Sequence, residues 1–373
     1  MAPHILVNKL HIWQDCLAKL RDAPRLALDL EANNMYAYQE RVCLIQVTAS
    51  DQDFIIDPLS NLDLSGLGEL IEDAGVEKVF HAAEYDLILL KREYGWDLNN
   101  LFDTMWAARI LGYPRYGLAS LLEELFQVKL NKRYQKSNWC KRPLSPPQLA
   151  YARLDTHYLL PLRDYLGEEL RQAGREEEAC EIFAEQSRVK VNDHTFSPDS
   201  FWSVHGVHEL SERQQAILRE VNIYRDREAR KRNRPLFKIF NNRTLIELAQ
   251  AAPKTLTELR QVYGMTPGQI RRYGRQLLAA IEAGRKTPLP LPRKRNKRPP
   301  EAVLNRYEKL HNWRKLRARK RGVESDVIIS RDALWAIAET NPRTEEELSK
   351  LCGVGRWRCQ TYGQEILDIL RGM

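Results

Sequence analysis

The sequence has no long apolar run. Stretches such as residues 87–90 are far shorter than the roughly 20 residues a membrane-spanning helix needs. The first nine residues, Met1-Ala-Pro-His-Ile-Leu-Val-Asn-Lys9, lack the basic start and apolar core of a signal peptide, so the expected location is the cytoplasm. Cysteine is sparse: Cys16, Cys43, Cys140, Cys180, Cys352 and Cys359 are scattered without a Cys-x-x-Cys pair, which fits a reducing compartment and argues against a zinc site. What remains is an ordinary globular composition, 43% hydrophobic and 29% charged, over 373 residues, a length that exceeds one core and implies two or three domains.

The net charge of +8 conceals a division. Residues 1–200 hold 22 Lys and Arg against 31 Asp and Glu, whereas residues 201–373 hold 36 against 19. A basic rear half attached to an acidic front half is the footprint of a polyanion-binding appendage, although a membrane-surface or ribosome-like partner would leave a similar one.

In the front half, apolar segments at 26–30, 42–47 and 54–56 succeed one another like hairpin strands. A helix near 67–72, a strand at 78–81 and a helix over 82–92 follow, giving a mixed α/β sheet. Within the first strand, Leu26-Ala-Leu-Asp29-Leu-Glu31-Ala, the two carboxylates point to one face. Placed side by side in a half-buried strand they repel and lose hydration unless a cation lies between them, and Mg²⁺ or Mn²⁺ suits such oxygen donors. A solvated acidic edge strand reads equally well. Asp86, flanked by Tyr85, Leu87 and Leu90, lies on an exposed stripe or is turned inward. Ser145-Pro-Pro-Gln148 is a capping box with Pro at the first helical position, so a helix begins there and places Tyr151 and Asp155 on one face. Taken alone, that pair would be a core aromatic and a solvated acid.

Together, Asp29-Leu-Glu31, His81-Ala-Ala-Glu-Tyr-Asp86 and Tyr151-Ala-Arg-Leu-Asp155, with Phe102-Asp-Thr-Met-Trp-Ala-Ala-Arg109 and Trp139-x-x-Arg-Pro-Leu144, resemble the ribonuclease D family of the DEDD exonuclease superfamily, in its tyrosine branch. The resemblance implies a ribonuclease H-like α/β fold and two-metal hydrolysis of a phosphodiester. It implies that Asp29, Glu31 and Asp155 hold one metal with the nucleophilic water, that Asp29 bridges to a second near Asp86, and that Tyr151 orients the water. Asp103 is expected to cap the helix starting at Thr104. His81 and His157 rank lower as bases, because a histidine base belongs to the sister branch. Gln135, Lys136 and Trp139 are candidate substrate contacts, Trp139 as a stacking surface or as core.

In the rear half, residues 224–281 align without a gap on 313–370, with an offset of 89. Arg225, Arg230, Lys231 and Arg232 meet Arg314, Arg319, Lys320 and Arg321; Gly264, Tyr273 and Gly274 meet Gly353, Tyr362 and Gly363. Each copy reads as helical, with helices expected at 213–232, 244–250 and 255–263, and at 303–321, 331–340 and 344–352. These copies resemble HRDC domains. Residues 287–300, rich in Pro and basic side chains, read as a linker.

The expected organisation is an exonuclease domain at 1–200 and all-α HRDC domains at 205–286 and 301–373. The expected function is a monomeric 3'-5' exoribonuclease using two divalent cations, releasing nucleoside 5'-monophosphates and maturing the 3' ends of tRNA and other small structured RNAs. Arg230 and Arg319 are candidate phosphate contacts, or merely solvated helix faces. A DNA exonuclease of the same superfamily and a non-catalytic RNA-binding scaffold are the alternatives.

Overall fold

The computed structural model describes residues 4–191, 195–290, 298–351 and 353–372. The chain forms two compact units, one of Met1–Ala32, Val42–Val191 and Arg298–Met373, the other of Asn33–Arg41 and Asn192–Lys297.

The first unit is built on a six-stranded sheet: β1 (Ile5–Val7), β2 (Arg25–Ala32), β3 (Val42–Ala49), β4 (Gln52–Ile56), β5 (Glu77–Phe80) and β6 (Leu101–Asp103), in the order β1-β4-β3-β2-β5-β6. Strands β2, β3 and β4 are antiparallel neighbours as expected, while β1, β5 and β6 add parallel pairs at the flanks. The three-residue β1 and β6 were not anticipated, because runs so short carry no alternation to detect. Every residue of β3 is buried, the mark of a strand covered on both faces. Leu28, Leu30, Ile45 and Val47 face the main core. Leu44 packs instead with Trp139, Ala152 and Tyr151, so the opposite face is covered by α6.

The helices of this part are α1 (Leu10–Arg21), α2 (Ser65–Glu72), α3 (Glu84–Tyr94), α4 (Thr104–Leu111), α5 (Leu118–Phe126), α6 (Pro146–His157), α7 (Leu159–Gln172) and α8 (Glu176–Gln186). The expected capping box starts α6, with the Ser145 N–H donating to Gln148 Oε1 at 3.0 Å. The scattered cysteines include one pair that the fold closes: Cys43 on β3 and Cys140, 97 residues apart, form a disulfide. No sequence spacing marks such a pair.

In the second unit, α9 (Glu212–Lys231), α10 (Leu236–Ile239), α11 (Asn242–Ala251), α12 (Leu256–Leu259) and α13 (Pro267–Lys286) enclose their own core. Helices α9 and α13 approach closely at Gly284, where a Cβ would come within 2.5 Å of the Ile217 Cα. The helix expected over 255–263 shrinks to the single turn of α12, because the chain turns away toward Gly264 with φ of 82°. Arg225 is buried, donating to Phe240 O at 3.2 Å and to the Asn222 and Asn242 amide oxygens at 2.8 Å. The segment Asn33–Arg41 belongs to this unit rather than to the exonuclease body. Tyr38 donates its N–H to Asn233 at 3.0 Å and its O–H to Asp226, and Lys238 lies 4.3 Å from the Tyr36 ring centre.

The C-terminal part of the first unit comprises α14 (Glu301–Arg321), α15 (Ser325–Ile328), α16 (Arg331–Thr340), α17 (Glu345–Ser349) and α18 (Arg356–Arg371) around a further core. Arg314, equivalent to Arg225 in the sequence repeat, donates to Ile329 O at 3.1 Å, just as Arg225 donates to the matching Phe240 O. The expected 344–352 helix is α17, and Cys352 lies outside the described residues, as do 291–297 of the expected linker.

This part packs on α8 and α4. Glu181 accepts from the N–H of Trp357 at 2.6 Å and, with Glu185, holds the buried Arg358 guanidinium. A Cβ on Gly355 would meet the Glu181 side chain at 2.1 Å, so a larger residue there would push the Glu181 carboxylate out of its present contacts. Glu178, with a fully buried side chain, pairs with Arg321 and with Arg175. Arg109 binds both Glu324 and Asp326 at 2.6 Å.

Candidate active site

Strand β2 places Asp29 and Glu31 on the face covered by α6, where Asp155 meets them. Carboxylate oxygens of Asp29, Glu31 and Asp155 all lie within 4.8 Å of one another, although well over a hundred residues separate the first from the last. Between β2 and β3 the register shifts at Glu31 and Ala32, an irregularity that ends regular pairing beside the cluster. Asp86, in the first turn of α3 and 7% exposed, is turned inward rather than on an exposed stripe.

All four acids are held above the usual carboxylate range. Burial is the main cause for Asp29, with the Leu30 N–H opposing it, and for Asp155, to which the Asp29 charge adds. Burial raises Asp86, reinforced by Asp29 and Asp103, and pushes Glu31 up to about 10, reinforced by Asp29, Asp155 and Asp86. These mutual effects set Asp86 electrostatically beside Asp29 and Glu31. What raises the acids is burial and one another's charge, the condition a divalent cation relieves. Three close carboxylates with a fourth beside them form an all-oxygen donor set, which suits a hard cation.

Tyr151 joins the cluster from the same helix face as Asp155. Its phenol is pushed upward by burial, then by Asp155, Glu31 and Asp29, so it keeps its proton at neutral pH even more firmly than a free tyrosine. Its ring stacks on Trp139 at 5.9 Å with planes 29° apart, and Tyr134 approaches at 6.4 Å. Trp139 is 1% exposed and offers no face to a base; the substrate-stacking expectation is corrected to a buried support for Tyr151. Gln135 and Lys136 are exposed on the turn before it.

Several positioning residues escaped the sequence reading. Asp103 caps α4 as expected, accepting from Met105 and Trp106. It also accepts from Ala82 at 3.1 Å and Ala83 at 2.8 Å, fastening the start of the helix that carries Asp86. Ala82 adopts φ of 63°, a left-handed conformation uncommon for a residue with a Cβ. Behind α6, the buried Asp53 pairs with Arg153 and His157, and Thr48 donates to Thr156 at 2.8 Å. Arg142 holds Asp57 and the carbonyls of Cys43 and Trp139, which accounts for the Trp-x-x-Arg-Pro stretch. The family-typical stretch singled out Arg142; nothing in local spacing singled out Asp53 or the second role of Asp103. His81 is half-buried against Thr104, its ring pKa lowered by desolvation to about 4, and His157 is committed to Asp53.

Among the candidate phosphate contacts, Arg319 is exposed and Arg230 is mostly so, with Asp226 at 3.4 Å and the Tyr38 ring at 5.6 Å. Their neighbours are engaged: Arg232 pairs with Glu228, and Arg321 with Glu178.

A family model described as 3'-5' exonuclease matches residues 5–171, and one described as HRDC domain matches 214–281 and 303–370. The chain is 30% identical to Ribonuclease D of Gluconacetobacter diazotrophicus over 76% of this chain and 72% of that one. It is 34% identical to Protein RRP6-like 1 of Arabidopsis thaliana over 70% of this chain, spanning only 43% of that relative's length. The crystal structure of Escherichia coli RNase D, an exoribonuclease involved in structured RNA processing, shares the fold over 100% of this chain and 99% of its own, with a TM-score of 0.70 and 24% identity.

Proposed function

This chain belongs to the ribonuclease D family, and from that premise we propose that it is a divalent-cation-dependent 3'-5' exoribonuclease acting on the 3' ends of tRNA precursors and other small structured RNAs. The observation that carries the reading is the gathering of Asp29, Glu31 and Asp155 oxygens within 4.8 Å, with Asp86 electrostatically joined to them. Asp29, Glu31 and Asp155 would hold one cation, and Asp29 with Asp86 a second, Mg²⁺ or Mn²⁺. Bound there, the cations supply Lewis-acid activation of water and charge neutralisation at a scissile phosphodiester. Tyr151, stacked on Trp139 and in the electrostatic field of Asp155, would orient the attacking water by a hydrogen bond. Asp103 and the Asp53 network hold the two acid-bearing helices in register with β2.

Gln135 and Lys136 would contact the RNA 3' end, and Arg230 and Arg319 would contact RNA phosphates. Phosphate contacts of this kind give affinity with little base discrimination, which suits trimming of unrelated 3' tails. The protein would act as a monomer in the cytoplasm, with 1–200 as the exonuclease module and 205–286 and 301–373 as HRDC modules joined through 287–300. No helix among the described residues is long and apolar enough to cross a membrane.

The test is a time course on tRNA carrying extra 3' nucleotides, with Mg²⁺, Mn²⁺ or EDTA, using wild type and Asp155→Ala. Stepwise release of nucleoside 5'-monophosphates by wild type alone is expected. Faster loss of single-stranded DNA would move the assignment to a DNA exonuclease, and RNA binding without hydrolysis in either cation would leave only a scaffold.

A further inference from the structure

One polar side chain beside the acids stands unsatisfied. Gln46 on β3 is fully buried, and neither its Nε2 nor its Oε1 finds a hydrogen-bond partner among the described residues. A carboxamide can make four hydrogen bonds, and burying it with none is a combination that native interiors seldom keep without a reason.

Its position is fixed by register. Gln46 stands directly opposite Asp29 across the β2–β3 pair, and opposite Ile55 across β3–β4. Opposed residues of antiparallel strands share a face, with Cβ atoms about 5 Å apart. Gln46 therefore shares the face of Asp29 and Glu31. Its neighbours along β3 on that face are Leu44, which packs with Ala152, and Thr48, which bonds Thr156. The carboxamide is thus enclosed between Asp29 and the turn of α6 that runs from Ala152 through Asp155 to Thr156. Leu44 and Ile55 are apolar and the Thr48 and Thr156 hydroxyls bond each other, so the group directly opposite the carboxamide is the Asp29 carboxylate.

We propose that Gln46 is a positioning residue of the cation site, its amide N–H donating to the Asp29 carboxylate, or to Asp155 across from it, once these are ionised around a cation. A carboxylate has lone pairs for a cation and for a hydrogen bond at once. Fixing the outer one orients the inner one, the task that neighbours of metal ligands perform elsewhere. An amide left unsatisfied by the rest of the core is then a donor held ready. The inference rests on the cation-dependent reading above, and it assigns Gln46 no contact with RNA.

The experiment measures Mn²⁺ binding to the full chain by calorimetry, alongside melting in EDTA, for wild type, Gln46→Met and Gln46→Leu. Both substitutions keep an apolar filling of similar size and remove the donor. Expected is a 10- to 100-fold weaker Mn²⁺ affinity, the usual range for such partners, with a melting temperature in EDTA equal to wild type or higher. On RNA, kcat should fall while KM stays near wild type. A folded Met or Leu variant that binds Mn²⁺ within twofold of wild type overturns the role, leaving Gln46 a core residue. Wild type that binds no Mn²⁺ overturns the cation reading and this inference with it. Two variants are used so that, if one misfolds, the other still decides the question.

Discussion

The arrangement of acids implies that the protein gives up stability at its site when no cation is bound, and Asp155→Asn measures how much. Asp155 shares a 4.8 Å cluster with Asp29 and Glu31. Two unit charges at about 5 Å and an effective dielectric of about 20 repel by roughly 3 kcal/mol. The site is partly open and the acids carry part of their protons at neutral pH, so about 1–2 kcal/mol of that repulsion is expected to be relieved by Asn. For a body of this size that corresponds to a rise of roughly 2–8 °C in melting temperature. Melting in EDTA at pH 8 reads this directly. With Mn²⁺ at about 100 times its Kd, wild type gains roughly 2.7 kcal/mol from binding, whereas the variant gains little, so their order reverses. Its exonuclease activity should fall by about 10³-fold or more. A variant that melts lower than wild type in EDTA, or that keeps the full Mn²⁺-induced rise, would show that the cluster is not a strained cation site.

The same acids set a pH dependence. Each is protonated more readily in the folded than in the unfolded chain, so between about pH 4 and the folded values the native state holds the extra protons and stability falls as pH rises. The Mn²⁺-induced rise in melting temperature is therefore expected to be larger at pH 8 than at pH 5, and an equal rise at both would contradict the raised pKa values. Tyr151→Phe removes one orienting hydrogen bond but no cation ligand, so a roughly 10- to 100-fold loss of kcat with unchanged Mn²⁺ affinity is expected, well short of Asp155→Ala. Replacing Arg230 and Arg319 with Gln should flatten the slope of log affinity against log salt for RNA by about one unit each if both touch phosphate; an unchanged slope would make them solvated helix faces. Arg321→Leu leaves the buried Glu178 with only Arg175, and a cost of roughly 3 kcal/mol is expected in urea unfolding; a change below about 0.5 kcal/mol would mean that the contact is idle.

The acidic cluster was legible because its residues sit in local patterns. Asp29 and Glu31 share a face by strand period, Tyr151 and Asp155 by helix period, and Ser145 with Gln148 marks where that helix begins. The supports were not legible, because they depend on distant strands meeting. Nothing around Asp53 announces that Arg153 and His157 come to it, and Gln46 acquires its meaning only from lying opposite Asp29. Trp139, left open between a substrate platform and the core, was undecided for a similar reason: an aromatic beside exposed Gln135 and Lys136 looks available until the Cys43–Cys140 link and Tyr151 enclose it. In the basic half, charge counting overstated the free cations. Arg225, Arg314, Arg321 and Arg358 are all spent inside the structure, on carbonyls or on buried acids.

The two repeated modules have diverged in what their equivalent positions do. Arg358 grips Glu181 and Glu185, whereas the equivalent Gln269 keeps to its own module, closing the capping box of α13 and donating to Ile239 O. Arg321 neutralises Glu178, whereas Arg232 pairs with Glu228 on its own helix. A shortened protein ending near residue 297 would consequently expose a denuded acidic flank on α8, and any drop in its trimming rate would mix damage to the nuclease with loss of a grip on RNA. Point changes on the outer surface of the last module, not its amputation, are the means of isolating what that module contributes to substrate capture.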